Sequence, residues 1–425
     1  MGAFGFAQVL RLGSNLILTR LLFPEAFGLM TTLTVFNAGL VMLSDVGIEQ
    51  SVIQNEKGSE PTFFNTAWSI QVIRGFGLYA LALALTHPMA WLTHEPDLVW
   101  LIPVSALIVP IASFGSTAEF ELRRRVQPAR ILAMDLVTQI IGVVVMAVWA
   151  WKSPSIWALV VGNIVRDLLR TAWTWFLIPG YRNRFAIDPE SRRKIIEFGR
   201  WILGSSSVFF LAGMSDRFIL LRILGSATLG IYSIAVMLSE AAFTVIGKVI
   251  HGVMLPLLSR VREDGHETLR EVYYDARLRL DALSLGGIGI LAVAGPTVVD
   301  VLWDERYEDA GWMLRVLCVR AAMRSVLQPA DTCLVAMGHT KFSFFNNIAR
   351  TVMLYAGIPL GWHFGGTVGV IWAVALSDLP GIFILWPKMR AEGVFRFSRE
   401  VLTWLYFAGG LALGYGLVLM YEWIV

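Results

Sequence analysis

Long apolar runs separated by short polar connections make up almost the whole of this chain. A helix needs about 20 mostly apolar residues to cross a bilayer. Measured against that length, the runs predict about thirteen membrane-spanning helices, at 3–22, 26–49, 64–86, 98–120, 131–151, 156–178, 199–221, 229–250, 280–302, 311–337, 342–362, 367–386 and 402–424. The first is the least apolar, with Arg11, Gly13, Ser14, Asn15 and Arg20 inside it, and a helix lying in the membrane interface is the alternative for it. Two stretches of the pattern nearly repeat. Residues 20–30 read RLLFPEAFGLM and residues 222–232 read RILGSATLGIY, aligning Arg20 with Arg222, Leu22 with Leu224 and Gly28 with Gly230. Each stretch ends one apolar run and opens the next. The separation far exceeds a solenoid period. It predicts two similar six-helix halves, spans 1–6 and 7–12, with a site between them, an organisation that transporters use. The plain alternative is a chance match between two hairpins drawn from a small apolar alphabet.

The basic residues fall on alternate connections. One set holds Lys57; Arg123, Arg124, Arg125 and Arg130; Arg182, Arg184, Arg192, Arg193 and Lys194; Arg260, Arg262, Arg270, Arg277 and Arg279; Lys341; and Lys388, Arg390, Arg396 and Arg399. The other set holds little beyond Lys152, Arg222 and Arg306. By the positive-inside rule the first set is cytoplasmic, the N-terminus inside and the C-terminus outside. Spans 2 and 8 then run in the same direction, so the repeat is of the parallel kind, about an axis along the membrane normal. The expected organisation is a first bundle at 1–178, a cytoplasmic linker at 179–198, a second bundle at 199–388, and a loop with one extra helix at 389–425. In the linker, RNRFAIDPESRRK places Asp188 as an N-cap before Pro189.

Composition agrees with the pattern. The chain of 425 residues is 56% hydrophobic and only 16% charged, against about 25% charged for soluble domains. Sixteen Trp suit interfacial belts. Cys318 and Cys333 fall on one predicted helix about 22 Å apart at 1.5 Å per residue, beyond disulfide reach, and no metal-ligand spacing occurs. Met1 is followed at once by apolar, glycine-rich chain, which reads as no cleavable signal. No GxxxxGK[ST] or GxSxG string occurs, and the His94–Glu95 and His266–Glu267 pairs lack the second His of HExxH. The outer connections are short. An enzyme is therefore the minor reading, and no cofactor, metal or nucleic acid is expected.

Ionisable side chains at membrane depth cost about 2.5–3.5 kcal/mol each on insertion scales and are functional candidates by default. The spans carry Arg11 and Asn15; Gln71 and Arg74; Asn163, Arg166, Asp167 and Arg170; Ser205, Ser206 and Ser207 with Asp216 and Arg217; Glu240 and Lys248; Arg320, Arg324, Gln328 and Asp331; Arg350; and Asp378. Nearest mid-depth, arginines outnumber acids. A cationic lining suits an anionic cargo, because the guanidinium fork matches phosphate oxygens. The structural alternatives are ion pairing of Arg166, Asp167 and Arg170 among themselves, snorkelling of Arg350, and a wet interface for Asp45 and Glu49.

Several of these strings together resemble one family. They are LRLGSNLILTRLLFPEAFGLM at 10–30, SDVGIEQSVIQ at 44–54, FNTAWSIQVIRG at 64–75, IWALVVGN at 156–163, IPGYRNRF at 178–185, FGRWILGSSSVFFLAGMSDRFIL at 198–220, LGIYSIA at 229–235 and LPLLSR at 255–260. Over most of its length the chain resembles the polysaccharide (oligosaccharide) flippases of the multidrug/oligosaccharidyl-lipid/polysaccharide exporter superfamily. The resemblance implies an all-α integral membrane protein of the bacterial inner membrane, with two six-helix bundles in a V plus one C-terminal helix. It implies alternating-access movement of an undecaprenyl-diphosphate-linked oligosaccharide between leaflets, with membrane lipid and other polysaccharide-assembly proteins as further partners. It directs attention to Arg11, Asn15, Asp216, Arg217 and Glu240, beside which the mid-depth Arg74, Arg320 and Arg324 stand as substrate-binding candidates. Glu240 and Asp378 are candidates for ion coupling. The repeat sets Ser14 and Asn15 opposite Asp216 and Arg217, so the charged pair belongs to one half only. The competing readings are a drug/cation antiporter of the same superfamily, which would want an acid-rich cavity, a membrane glycosyltransferase or polymerase, which would want a large outer loop, and a non-transporting scaffold.

Overall fold

The computed structural model describes the backbone of residues 2–125, 127–213 and 216–424, and their side chains apart from those of residues 2–7, 128, 201, 205, 208, 209, 212, 213, 242–246, 248, 249 and 251. The side chains of Ser205 and Lys248, named above, lie outside the described residues. Every regular element among those described is helical. The chain forms two compact units, Met1–Gly230 and Ile231–Val425.

The first unit holds α1 (Gly2–Leu21), α2 (Pro24–Met42), α3 (Ile48–Gln54), α4 (Pro61–Thr93), α5 (Leu98–Ser105), α6 (Ile108–Ser113), α7 (Ala118–Arg124), α8 (Pro128–Lys152), α9 (Trp157–Thr174), α10 (Pro189–Gly213) and the start of α11 (Asp216–Val249). The second holds the rest of α11 with α12 (Leu255–Val261), α13 (His266–Leu302), α14 (Asp309–Ala336), α15 (Thr340–Ala375), α16 (Pro380–Ala391) and α17 (Phe397–Ile424). Each predicted span lies on one of these helices or on a broken series of them. Proline opens α2, α4, α8, α10 and α16, where its fixed φ suits the first helical position and its missing N–H costs nothing. Two glycines at positive φ split long helices at the predicted span boundaries: Gly225 (φ 78°) within α11 and Gly366 (φ 53°) within α15.

Seven helical stretches among the described residues are long and apolar enough alone to cross a membrane, and the bent pair Leu98–Ser113 and Ala118–Arg124 makes eight. Among the described residues α1, α9, α10 and α14 do not meet that standard unaided; α9 and α14 each carry several charged residues. Two expected boundaries shift, and one span bends. Span 2, expected to reach residue 49, stops at Met42, because Asp45 Oδ1 accepts from the Gly47 amide (2.9 Å) and Gly47 turns the chain at φ 59° before α3. Span 4 bends by 62° between α6 and α7. The helix expected to start at 199 already begins at Pro189, so the linker proper is residues 175–188.

Glycines set the closest helix contacts. In the first unit Gly142 of α8 and Gly162 of α9 face one another's carbonyls, and in the second Gly361 and Gly369 do the same across the break in α15. The repeat expected from the sequence sets these two hairpins, spans 5–6 and 11–12, in correspondence. Helix α17 lies along α13, where Gly289 and Gly410 bring backbone to backbone. Small residues serve helix packing in lipid, where the hydrophobic effect does not drive association. Cys318 and Cys333 are buried and free.

Candidate functional site

The candidate residues gather in two places, one in each unit. In the first unit, Asp45 follows the end of α2. It accepts from the Ser206 hydroxyl of α10 (3.4 Å) as well as from Gly47. Arg74, from α4, reaches the same turn. Its Nη2 donates to the Val41 carbonyl (2.7 Å) and its Nε to the Ser44 hydroxyl (3.2 Å). Arg74 thus closes the C-terminal end of α2, where carbonyls lack helical partners and a cation is favoured. One turn earlier on α4, Gln71 donates to the carbonyls of Ser113 and Gly115 at the bend after α6.

Asp216 and Arg217 pair with each other at the start of α11. Arg217 Nη1 donates to Asp216 Oδ1 at 2.7 Å, and Asp216 is fully buried. The second carboxylate oxygen, Oδ2, is buried without a hydrogen bond among the described residues. Arg11 of α1 is exposed and makes no side-chain hydrogen bond or ion pair among the described residues. Asn15, one turn on, is half-buried, and its Oδ1 is enclosed with no hydrogen-bond partner there.

The second unit brings five charged groups from three helices and one turn together. Arg324 Nη1 of α14 donates to Glu240 Oε1 of α11 (3.1 Å). Arg320, one turn earlier on α14, donates through Nε to Asp378 Oδ2 (3.3 Å), and Arg350 Nη1 of α15 stands 3.7 Å from Asp378 Oδ1. Asp378 lies in the turn before α16, where Pro380 restarts the helix. A small recess is lined by Val236, Ser239, Glu240, Leu317, Arg320, Ala321 and Arg324. Three guanidinium groups thus surround two carboxylates. Four of these five were the candidates Glu240, Arg320, Arg324 and Asp378. The fifth, Arg350, was expected to snorkel and instead turns inward to Asp378. Asp331, on the same stripe of α14, accepts from Ser343 of α15.

Other charges hold the scaffold. Arg170 joins α9 to Asp135 of α8 and Glu119 of α7, both at 2.8 Å, and Arg123 joins Glu119 to Glu49 of α3. Arg166 pairs with its neighbour Asp167. The sequence reading missed the strongest cluster of all. Arg277 of α13, 1% exposed, contacts Asp281 (3.0 Å) and both oxygens of Glu400 at the start of α17 (2.5 and 2.6 Å), while Tyr274 donates to Glu400. It fastens the C-terminal helix to the second unit. Among the described residues no group of three or more His, Cys, Asp or Glu has the disposition of a metal site.

A family model described as "Polysaccharide biosynthesis protein" matches residues 17–312. The chain is 24% identical over 369 residues to the Escherichia coli lipopolysaccharide biosynthesis protein WzxC, covering 86% of this chain and 75% of the relative. It is 23% identical over 405 residues to the Rhizobium meliloti succinoglycan biosynthesis transport protein ExoT, covering 92% and 80%. Among solved structures, the lipid II flippase MurJ in an inward closed conformation shares the fold with a TM-score of 0.75 at 10% identity, over 98% of this chain and 92% of that one. An inward-facing multidrug resistance MATE family transporter of the MOP superfamily does so with a TM-score of 0.69 at 15% identity, over 91% and 95%.

Proposed function

Since the chain belongs to the polysaccharide biosynthesis protein family, we propose that it moves undecaprenyl-diphosphate-linked oligosaccharide repeat units across the bacterial inner membrane. The observation that carries this reading is the excess of guanidinium groups inside the helices. Arg320, Arg324 and Glu240 line the recess, and with Arg350 and Asp378, which join it through Arg320, the cluster holds three guanidinium groups against two carboxylates. A net positive site within apolar helices is suited to the phosphates of a lipid-linked sugar, and charge-assisted contacts are strongest where water is scarce. Arg11 is exposed on α1, and Arg217 is pre-oriented by Asp216. These two are the further groups proposed to touch the diphosphate, with Asn15 as a hydrogen-bonding neighbour. Arg74 acts there through the turn after α2 that it holds.

Transport proceeds by alternating exposure of the site to the two leaflets, with no covalent chemistry. Any ion coupling falls to Glu240 and Asp378, whose carboxylates are each held by arginine. A drug/cation antiporter fits less well, because both acids of the cluster, Glu240 and Asp378, are already engaged by arginine. The proposed topology has the N-terminus in the cytoplasm and the C-terminus outside. A reporter fused after Val425 that is active only in the cytoplasm would overturn it. The proposed division at 1–178, 179–198, 199–388 and 389–425 follows the repeat, and other polysaccharide-assembly proteins are proposed as partners in the membrane.

The test is reconstitution of the purified chain into liposomes with a fluorescent undecaprenyl-diphosphate-oligosaccharide. The expected result is translocation that the empty liposome lacks. Translocation of a cationic drug with none of the lipid-linked sugar would favour the antiporter.

A further inference from the structure

The segment between α9 and α10 is a fastened strap with an outward surface of its own. Its backbone runs extended along α4, and the side chains of FNTAWS on that helix bind it. Asn65 accepts from the Arg184 amide (2.8 Å), Thr66 from the Asp188 amide (2.9 Å) and Ser69 from the Ala186 amide (3.0 Å), while the Ser69 hydroxyl donates to the Ala186 carbonyl (3.0 Å). Amides at every second residue therefore face α4, as an extended chain requires. Asn183 is buried and bonded to Ser116 and Thr117. Two strings that looked unrelated in the sequence are thus the two sides of one joint.

The joint holds large apolar side chains outward. Phe185 is 64% exposed, its ring edge resting on Trp68, and Ile187 is 49% exposed. Ile196 follows on α10 at 52%. On the same segment stand Arg182, Arg184 and Arg192, all exposed, whose side chains make no ion pair or hydrogen bond among the described residues. Their neighbours differ: Arg193 pairs with Glu197, and Lys194 with Glu190. Elsewhere Arg123, Arg125, Arg270 and Lys388 also have carboxylate partners, while the exposed Arg260, Arg279 and Arg399, with no ion pair among the described residues, are spread over α12, α13 and α17.

We infer that this strap docks anionic phospholipid headgroups at the membrane surface. The apolar side chains enter the acyl boundary while the unpartnered guanidinium groups take phosphate, the combination that places a segment in the interface. Guanidinium favours a phosphate that carries no cation of its own over a zwitterionic headgroup. Because α4 already orders the strap, little conformational entropy is lost on docking. The inference rests on the proposed orientation only in assigning the lipid to the cytoplasmic leaflet, and it does not depend on what the chain carries.

The experiment uses the full chain purified in detergent, with phosphatidylglycerol and phosphatidylcholine as competing probes and retained lipid read by native mass spectrometry. Wild type is expected to retain phosphatidylglycerol preferentially. The triple variant Arg182→Gln, Arg184→Gln, Arg192→Gln should lose roughly fivefold in affinity per arginine removed, and the Arg→Lys triple should keep most of it. Arg260→Gln, Arg279→Gln, Arg399→Gln removes the same charge elsewhere and should retain lipid as wild type does. Equal loss in both glutamine triples, or none in the strap triple, would overturn the proposal. So would undecaprenyl diphosphate displacing phosphatidylglycerol from the same three arginines at equal concentration, which would make the strap a cargo site. Transport measured on the same variants separates these outcomes from failure of the flippase reading.

Discussion

Gly28 and Gly230 pack backbone against backbone, each beneath a carbonyl of the other's helix. A Cβ on Gly28 would overlap the carbonyl oxygen of Ser226, and a Cβ on Gly230 would overlap the carbonyl oxygen of Pro24. Ser226 stands to Gly230 as Pro24 stands to Gly28, four residues before it. The two copies of the repeat therefore meet through equivalent atoms, as a local two-fold axis demands. Neither glycine can accept a side chain unless the helices separate. Gly28→Ala and Gly230→Ala should each cost about 1–3 kcal/mol as overpacking, with Gly28→Leu worse. Gly77→Ala, in open space, should be neutral or slightly stabilising. Thermal unfolding of the purified variants checks this, and a Gly28→Leu protein with wild-type stability would refute the close contact.

Arg11 and Arg217 should separate from Arg74 in their effects. Arg74 carries two hydrogen bonds to the turn after α2, so Arg74→Ala should lower both stability and transport. Arg11→Ala should lower transport of the labelled lipid-linked sugar about tenfold or more, one lost charge-assisted contact being about 1.5–3 kcal/mol, with unfolding unchanged. Arg11→Lys and Arg217→Lys should recover only part of their activity, since the bidentate fork is lost. If alanine at Arg11, Arg74 and Arg217 leaves export at the wild-type level, these residues do not hold the diphosphate.

Asp378 faces two arginines, Arg320 and Arg350. Asp378→Asn should destabilise the second unit, because removing one member of a buried pair leaves a charge uncompensated, at about 3–5 kcal/mol. The double variant Asp378→Asn, Arg320→Gln should recover part of that loss. Additive single and double effects in a thermal-stability cycle would show that the two do not interact.

Arg277 anchors α17 through Glu400. Arg277→Met leaves Asp281 and Glu400 buried without a cation and should cost a similar 3–5 kcal/mol. Protease sensitivity at the loop before Phe397 should rise accordingly. An unchanged digestion pattern would show that apolar packing on α13 suffices to hold the helix.

The start of α10 should fray in acid. Asp188 accepts from the amide and hydroxyl of Ser191 (both 2.8 Å), which holds its carboxyl below the usual range. Its contribution is present in full above the ordinary aspartate value of about 3.9 and is lost as pH falls through the lower folded value. Hydrogen exchange at residues 190–194 should accelerate across that window in wild type and show no such step in Asp188→Asn.

How much was legible beforehand depended on distance along the chain. Span positions could be read because apolar length, proline at helix starts and glycine at breaks are local signals. Gly28 and Gly230 could be paired because a repeat makes a distant relationship visible as a match. Arg277 with Glu400, 123 positions apart, left no such trace. Arg277 was grouped with the basic residues of a connection, and only the packing of α17 on α13 buries it with Glu400. Arg350 was misplaced for the same reason, since snorkelling follows from depth alone and its partner Asp378 lies on another segment. Asn65, Thr66 and Ser69 gave no signal of their role because their partners are backbone amides, which no side-chain pattern reveals.

The fastening of residues 183–188 to α4 also bears on how such a chain is made. Repetition divides it near the linker, but the first unit closes only at Gly230. Val46 lies against Gly199, Ile202 over Gly47, Phe210 over Gly39 and Ser226 over Gly28. A nascent chain that had left the ribosome only as far as residue 198 would expose that whole side of α2 and α3 to the insertion machinery. A gene split at the linker would therefore separate residues 199–230 from the face of α2 and the turn before α3 that they cover.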